Sequence, residues 1–275
     1  MTFDNLTLER DGGVAVLWLD RPEKLNAMHR ALWTSVPQAV ASLDADQSVR
    51  AIVLAGKGKA FCAGIDLMDH AQGLTAGSLS GRGESAVGKR RALYDDIRRY
   101  QGTISAFANT NKPVVAAVHG ACVGAGMDLI TACDIRVAAA DAFFSVRETR
   151  IAMVADVGTL QRLTRIVGDG AARDLIFTGR DIDAARAQEI GLVNETLPDA
   201  TACLARARAI AAEIAANSPL AVQGSKQVLG FAERRAIDAN LDYVALWNAA
   251  FLQSEDLGEA MTAFAQRRAP NFTGK

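Results

Sequence analysis

Three of the acids between His119 and Asp156 stand in unusually apolar company. The stretch HGACVGAGMDLITACDIRVAAADAFFSVRETRIAMVAD carries Asp128, Glu148 and Asp156 among alanine, valine, isoleucine and phenylalanine, behind a glycine-rich turn. A carboxylate so placed must be paired, hydrogen-bonded or held partly protonated. The last state is what a general acid or base needs near neutral pH. Helix capping and buried ion pairing are the other uses of such residues, and spacing alone leaves both open.

The elements that must position these acids follow from periodicity. Phe3 to Arg10 and Val14 to Leu19 alternate apolar and polar residues around Asp11-Gly12-Gly13, which predicts a β-hairpin. Helical spacing from Ala31 to Leu43 leads into a buried-strand run, Ala51 to Ala55. GKGKAFCAGIDLMD then reaches the small-residue turn Cys62-Ala63-Gly64-Ile65-Asp66. Such a turn lets a backbone approach a ligand closely, or serves simply as a strand-to-helix turn capped by Asp66. Residues 71–88, rich in glycine and serine, read as a mobile surface loop or a lid. Lys89 to Asn109 reads as an amphipathic helix whose arginines form a solvated face, with a phosphate contact as the alternative.

Val114 to Val118 has the continuous apolar character of a strand covered on both faces. A glycine turn follows, and helix is expected from about Gly126 or Met127. Strand, glycine turn and helix in that order place main-chain N–H groups where they can hold developing negative charge. Strand character returns at Ile135 to Ala138 and Ala142 to Val146. Val157 to Val167 reads as a helix capped by Asp156, then helices at Ala171 to Thr178 and Ala184 to Ile190, and a strand at Leu192 to Thr196. Beyond Pro198 the period is helical, over Ala202 to Ala216, Leu220 to Leu229 and Ala232 to Phe251. The expected division is therefore an α/β part, 1–198, carrying the site, and a helical part, 199–275.

Bulk properties narrow the function classes. The 275 residues are 50% hydrophobic and 22% charged, with a net charge of -1, so no long-range field draws in nucleic acid or an anionic membrane. Cys62, Cys122, Cys133 and Cys203 form no CxxC pair, and His29, His70 and His119 complete no metal-ligand spacing, so no metal is expected. Reduced, buried thiols and the lack of a basic-then-apolar leader in MTFDNLTLERDGG point to a cytoplasmic protein. GACVGAG has the wrong spacing for a dinucleotide fingerprint, GKGKAF is no Walker loop, and no G-x-S-x-G elbow is present. The histidines read as surface or packing residues, with His119 the better placed of them for catalysis.

Over nearly its whole length the sequence resembles the crotonase, or enoyl-CoA hydratase/isomerase, superfamily. RPEKLNAM, AFCAGIDL, KPVVAAVHGACVGAGMDLITACDIRVAA, ADAFFSVRE, GLVNE and SPLAVQGSK carry the resemblance by their order and spacing. Within it, MDLITACDIR, DAFFSVRE and VADVGTLQRL resemble the subgroup that isomerises 3,5-dienoyl-CoA to 2,4-dienoyl-CoA in fatty-acid β-oxidation. The resemblance implies a ββα spiral with a helical C-terminal part, assembled as a trimer or hexamer through the latter, and an acyl-CoA thioester substrate with no separate cofactor. It implies CoA or substrate contacts at Leu25, Ala27, Ala63, Gly64, Asp66 and Gly124, and an oxyanion hole from the N–H groups of Ile65 and Ala125. Alanine at the latter position is a departure, since glycine is common there. Glu148 would take a proton from C2, Asp156 would deliver one at C6, and Asp128 would bias both. A hydratase holding water between Glu148 and Asp128, and a non-catalytic acyl-CoA-binding protein, are the competing readings.

Overall fold

The computed structural model describes residues 3–76, 82–83 and 85–275. Strands β1 (Leu6–Asp11) and β2 (Val14–Leu19) form the expected hairpin. Helix α1 (Arg30–Ala45) leads to β3 (Ala51–Gly56), α2 (Leu67–Ala76) and α3 (Ala86–Asn109). Strands β4 (Val114–Val118) and β5 (Ala121–Val123) precede α4 (Ala125–Thr131), then β6 (Ile135–Ala139) and β7 (Phe143–Ser145). The chain continues through α5 (Thr159–Val167), α6 (Asp169–Thr178), β8 (Ile182–Asp183), α7 (Ala184–Glu189) and β9 (Glu195–Leu197). Three helices close it: α8 (Ala200–Ala216), α9 (Pro219–Phe251) and α10 (Glu255–Gln266). The described part of residues 71–88 is helical at both ends, while 77–81 and 84 lie outside the described residues.

The large sheet runs β1-β2-β3-β4-β6-β9, parallel after the hairpin. Its central strands are buried on both faces, which is why they read as unbroken apolar runs. Ile52, Leu54, Val114 and Ala116 face one way, into the core built with α1 and α3. Val53, Ala55, Val115 and Ala117 face the other way, toward Cys203, Ala207 and Ala211 of α8. These three fall every four residues along α8 and form its packing stripe.

A second layer explains how distant turns meet. After β4 the chain crosses into β5, and after β6 into β7, and those two pair in parallel. After β3 it does the same at Cys62, which bridges Cys122 through Cys62 N–H to Ala121 O at 2.9 Å and Val123 N–H to Cys62 O at 3.0 Å. The turn after Cys62 thus lies beside the turn after β5. This is the expected ββα spiral.

Some boundaries differ from the sequence reading. The two helices expected across 220–251 are one helix of 33 residues, because Gly230 does not break it. The last strand lies at Glu195–Leu197, a few residues beyond its expected start. Among the described residues no helix is long and apolar enough to cross a membrane.

Candidate active site

Ile65 and Ala125 both line one cavity where the turns meet. Ile65 bridges Met28 through its neighbours: Met28 N–H donates to Gly64 O at 2.7 Å, and Asp66 N–H donates to Met28 O at 3.0 Å. In a parallel bridge that arrangement turns the N–H of Ile65 away from Met28. Ala125 is the first residue of α4, so its N–H has no acceptor within the helix. Gly64 brings the turns into contact: its φ is +100°, and a Cβ there would sit 3.2 Å from Val123 O and 4.0 Å from Ala125 N. A side chain at that position would be strained and would crowd the donors.

The acids line the same space. A cavity of about 530 Å³ is bounded by Gly64, Ile65, Gly124 and Ala125, by Asp128, Glu148 and Asp156, and by an apolar wall that includes Trp33, Tyr100, Met153 and Leu252. Trp33 and Tyr100 stack at 4.4 Å, and the Tyr100 hydroxyl is held 3.1 Å from Nε2 of the buried His70. Glu148 begins a 3₁₀ turn, Glu148–Ile151, and its Oε1 lies 3.4 Å from where a Gly124 Cβ would be. Its Oε2 is buried without a hydrogen-bond partner among the described residues. Burial, then the charge of Asp128, push Glu148 up to about 8.

Asp156 does not cap α5, contrary to its reading from the sequence. Asp128 does so across the fold: its Oδ1 accepts from both the N–H and the hydroxyl of Thr159 at 2.6 Å. Asp156 Oδ2 instead accepts from Asn248 Nδ2 at 2.7 Å. Burial pushes Asp156 up to about 7 against the pull of that bond, with the Asp128 charge adding to the rise. Burial also raises Asp128, but the Thr159 donors and the Arg162 charge hold it to about 6.

Comparison with known proteins fits this geometry. The family model described as enoyl-CoA hydratase/isomerase matches residues 9–275. The chain belongs to the enoyl-CoA hydratase/isomerase family. It is 42% identical to a mitochondrial Δ(3,5)-Δ(2,4)-dienoyl-CoA isomerase of Dictyostelium discoideum, over 97% of this chain and 90% of that protein. It is also 42% identical to the peroxisomal enzyme of that name from Arabidopsis thaliana, over 98% and 96%. An enoyl-CoA hydratase/isomerase structure from Xanthobacter autotrophicus Py2 superposes with a TM-score of 0.84 at 31% identity, covering 96% of this chain and 94% of that one.

Within this family member the other expected contact residues divide. Ala63, Gly64 and Gly124 border the cavity, whereas Leu25, Ala27 and Asp66 are not among its lining residues. Leu25 O accepts from Ala63 N–H at 3.0 Å, tying the Leu25 turn to the site turn. Asp66 caps α2 through Met68 and Asp69 N–H and pairs with Arg21 at 2.7 Å. Cys62 is buried and its thiol is pushed up to about 12, which fits a packing residue and no nucleophile. His119 lies outside the cavity lining, with Nε2 3.0 Å from Gly58 O.

Sequence reasoning missed three supports. Asn248 and Gln101 both hold the Asp156 segment, Gln101 through Nε2 to Asp156 O at 2.7 Å. Each is an amide within a buried helical stripe, Asn248 in line with Leu241, Val244 and Ala245. That interruption was the available signal. The third is Asn26, fully buried with φ +55°, whose side chain accepts from Arg21 N–H and donates to Lys57 O and Ala60 O. Asn26→Ala leaves these groups unpaired and is expected to cost about 2–4 kcal/mol, read as a lower urea midpoint.

Proposed function

We propose that this protein isomerises 3,5-dienoyl-CoA to 2,4-dienoyl-CoA. The carrying observation is that two raised carboxyls, Glu148 and Asp156, line one cavity with Ile65 and Ala125, whose N–H groups have no main-chain acceptor among the described residues. The thioester oxygen accepts from those two donors. One carboxylate removes a proton from C2, and the electron pair spreads through the diene onto that oxygen. A second carboxyl gives its proton to C6, leaving double bonds at C2–C3 and C4–C5. The two donors and the α4 dipole stabilise the dienolate, each such donor being worth about 3 kcal/mol. Coenzyme A is part of the substrate, and these steps use no other cofactor.

Proximity to Gly124 supports Glu148 as the group at C2, and Asp156 then serves C6. In the free protein burial and the Asp128 charge raise Glu148 further than Asp156, so the shared proton rests on Glu148. That proton must move to Asp156 before reaction. The pair needs one proton, so kcat/KM is expected to follow a narrow bell. It falls on the acid side as the pair takes up a second proton, and on the alkaline side as it loses its last. Limbs near the pair's values of about 7 and about 8 are expected in a stopped-flow pH series.

Hydration is disfavoured because Asp128 commits Oδ1 to two Thr159 donors, which leaves only Oδ2 to share a water with Glu148. Incubation with 2-enoyl-CoA tests this: the conjugated absorbance persists for an isomerase and bleaches if water is added. Exposed Leu220, Val228, Phe231, Tyr243 and Phe251 on α9 support a homo-oligomer, trimer or hexamer, formed through this helix. Four buried free thiols suit a reducing compartment such as the cytoplasm.

A further inference from the structure

Arg162 is buried behind the acids and plays no part in the steps above. It is 6% exposed, and its Nε and Nη1 have no hydrogen-bond partner among the described residues. Nη2 donates to Ser105 Oγ at 3.0 Å. The guanidinium lies across Gly158, where a Cβ would come within 1.8 Å of Nη1. Burying an incompletely bonded cation is unfavourable unless an opposite charge lies nearby. The carboxylates whose charges reach it are Asp128 and Asp238. Asp238 is exposed on α9 and screened by water. Asp128 is buried, and Thr159, three residues before Arg162 on the same face of α5, binds it directly.

We propose that Arg162 is a positioning residue acting through Asp128: its charge keeps Asp128 ionised, and that anion keeps a proton on the Glu148–Asp156 pair. The inference rests on the acid–base reading above. The groups that face Asp128 are Glu148 and Asp156 at the cavity, the Cys62 and Cys122 thiols from the second layer, and Thr159 and Arg162 from α5. Both thiols are pushed up by burial and stay neutral, so the charge balance lies with the three acids and Arg162. Against Arg162 stand Ser105 of α3 and Asp238 of α9.

The sign of the effect separates this mechanism from a direct one. Without the Arg162 charge Asp128 holds a proton more readily, its repulsion of the pair weakens, and both limbs of the kcat/KM bell move toward acid. Arg162→Met is expected to shift them by about one pH unit, as is Asp128→Asn, while the double variant shifts no further than either. Arg162→Lys keeps the wild-type limbs, and Arg162→Gln replaces the methionine variant should that one fail to fold. An alkaline shift that persists in the Asp128→Asn background would mean that Arg162 acts on the pair directly. Unmoved limbs with a lowered Tm would mean a structural role alone. Either result overturns the proposal. An infrared titration of the substrate-free protein, with ¹³C-labelled aspartate to separate the glutamic acid band, reads the same shift without turnover. An acidward shift of the protonated Glu148 band in Arg162→Met supports the inference even if no dienoyl-CoA is isomerised, and an unmoved band refutes it.

Discussion

Asp156→Asn is expected to lower the isomerisation rate by about 10³-fold, within the range that a positioned general acid contributes, without weakening the fold. Asparagine preserves the shape and can still accept from Asn248, which holds Asp156 Oδ2 at 2.7 Å, but it has no proton to deliver to C6. Stability should move the other way. Asp156 is raised from 3.8 to about 7 in the folded chain, so folding binds a proton that the unfolded chain releases. Its ionisation therefore destabilises the fold progressively as pH rises from about 4 to about 7, and the loss is complete above that. Removing the carboxyl removes the loss. The Tm of Asp156→Asn at pH 8 should exceed that of the wild type by a few degrees, with the difference vanishing near pH 4. Calorimetry at the two pH values checks this, and an equal fall in Tm at both would mark Asp156 as a structural residue.

Ala125→Pro is expected to cost about 10²–10³-fold in kcat, because it removes an oxyanion donor at a place where the fold tolerates proline. Ala125 is the first residue of α4, and its N–H is free of any helical bond. Proline fits that position by its fixed φ. The ring deletes the N–H and puts a methylene where the thioester oxygen would sit. The far-ultraviolet circular dichroism should stay unchanged while turnover falls. Ala125→Gly keeps the donor and should retain activity near the wild-type level. Equal losses in both variants would place the oxyanion elsewhere.

The elements were legible in the sequence where periodicity is local. β3 and β4 read as covered strands because both faces are buried, and the hairpin is marked by its Asp-Gly-Gly turn. The break expected in α9 failed because a glycine lowers helix propensity without ending a helix that packs along its length on α3. The three site acids were legible because carboxyls in apolar sequence need a reason to be there. Their partners were not. Asp128 caps a helix 31 residues away, and Asn248 reaches Asp156 across 92 residues. Contacts of that span arise from the crossing of the chain between two sheet layers, which no local spacing records. Arg162 was hidden for the same reason: in TLQRLTRIV it reads as a surface residue of an amphipathic helix, and only its burial and its close approach to Gly158 show it to be interior.

The most direct measurement adds the purified wild-type protein to 3,5-dienoyl-CoA and follows ultraviolet absorbance. The 2,4 isomer is conjugated with the thioester and the 3,5 isomer is not, so the predicted result is a rise to a plateau, with 2,4-dienoyl-CoA as the product by mass and retention. A flat trace from protein that bleaches 2-enoyl-CoA would contradict the two-carboxyl proton transfer and leave hydration as the chemistry of this cavity.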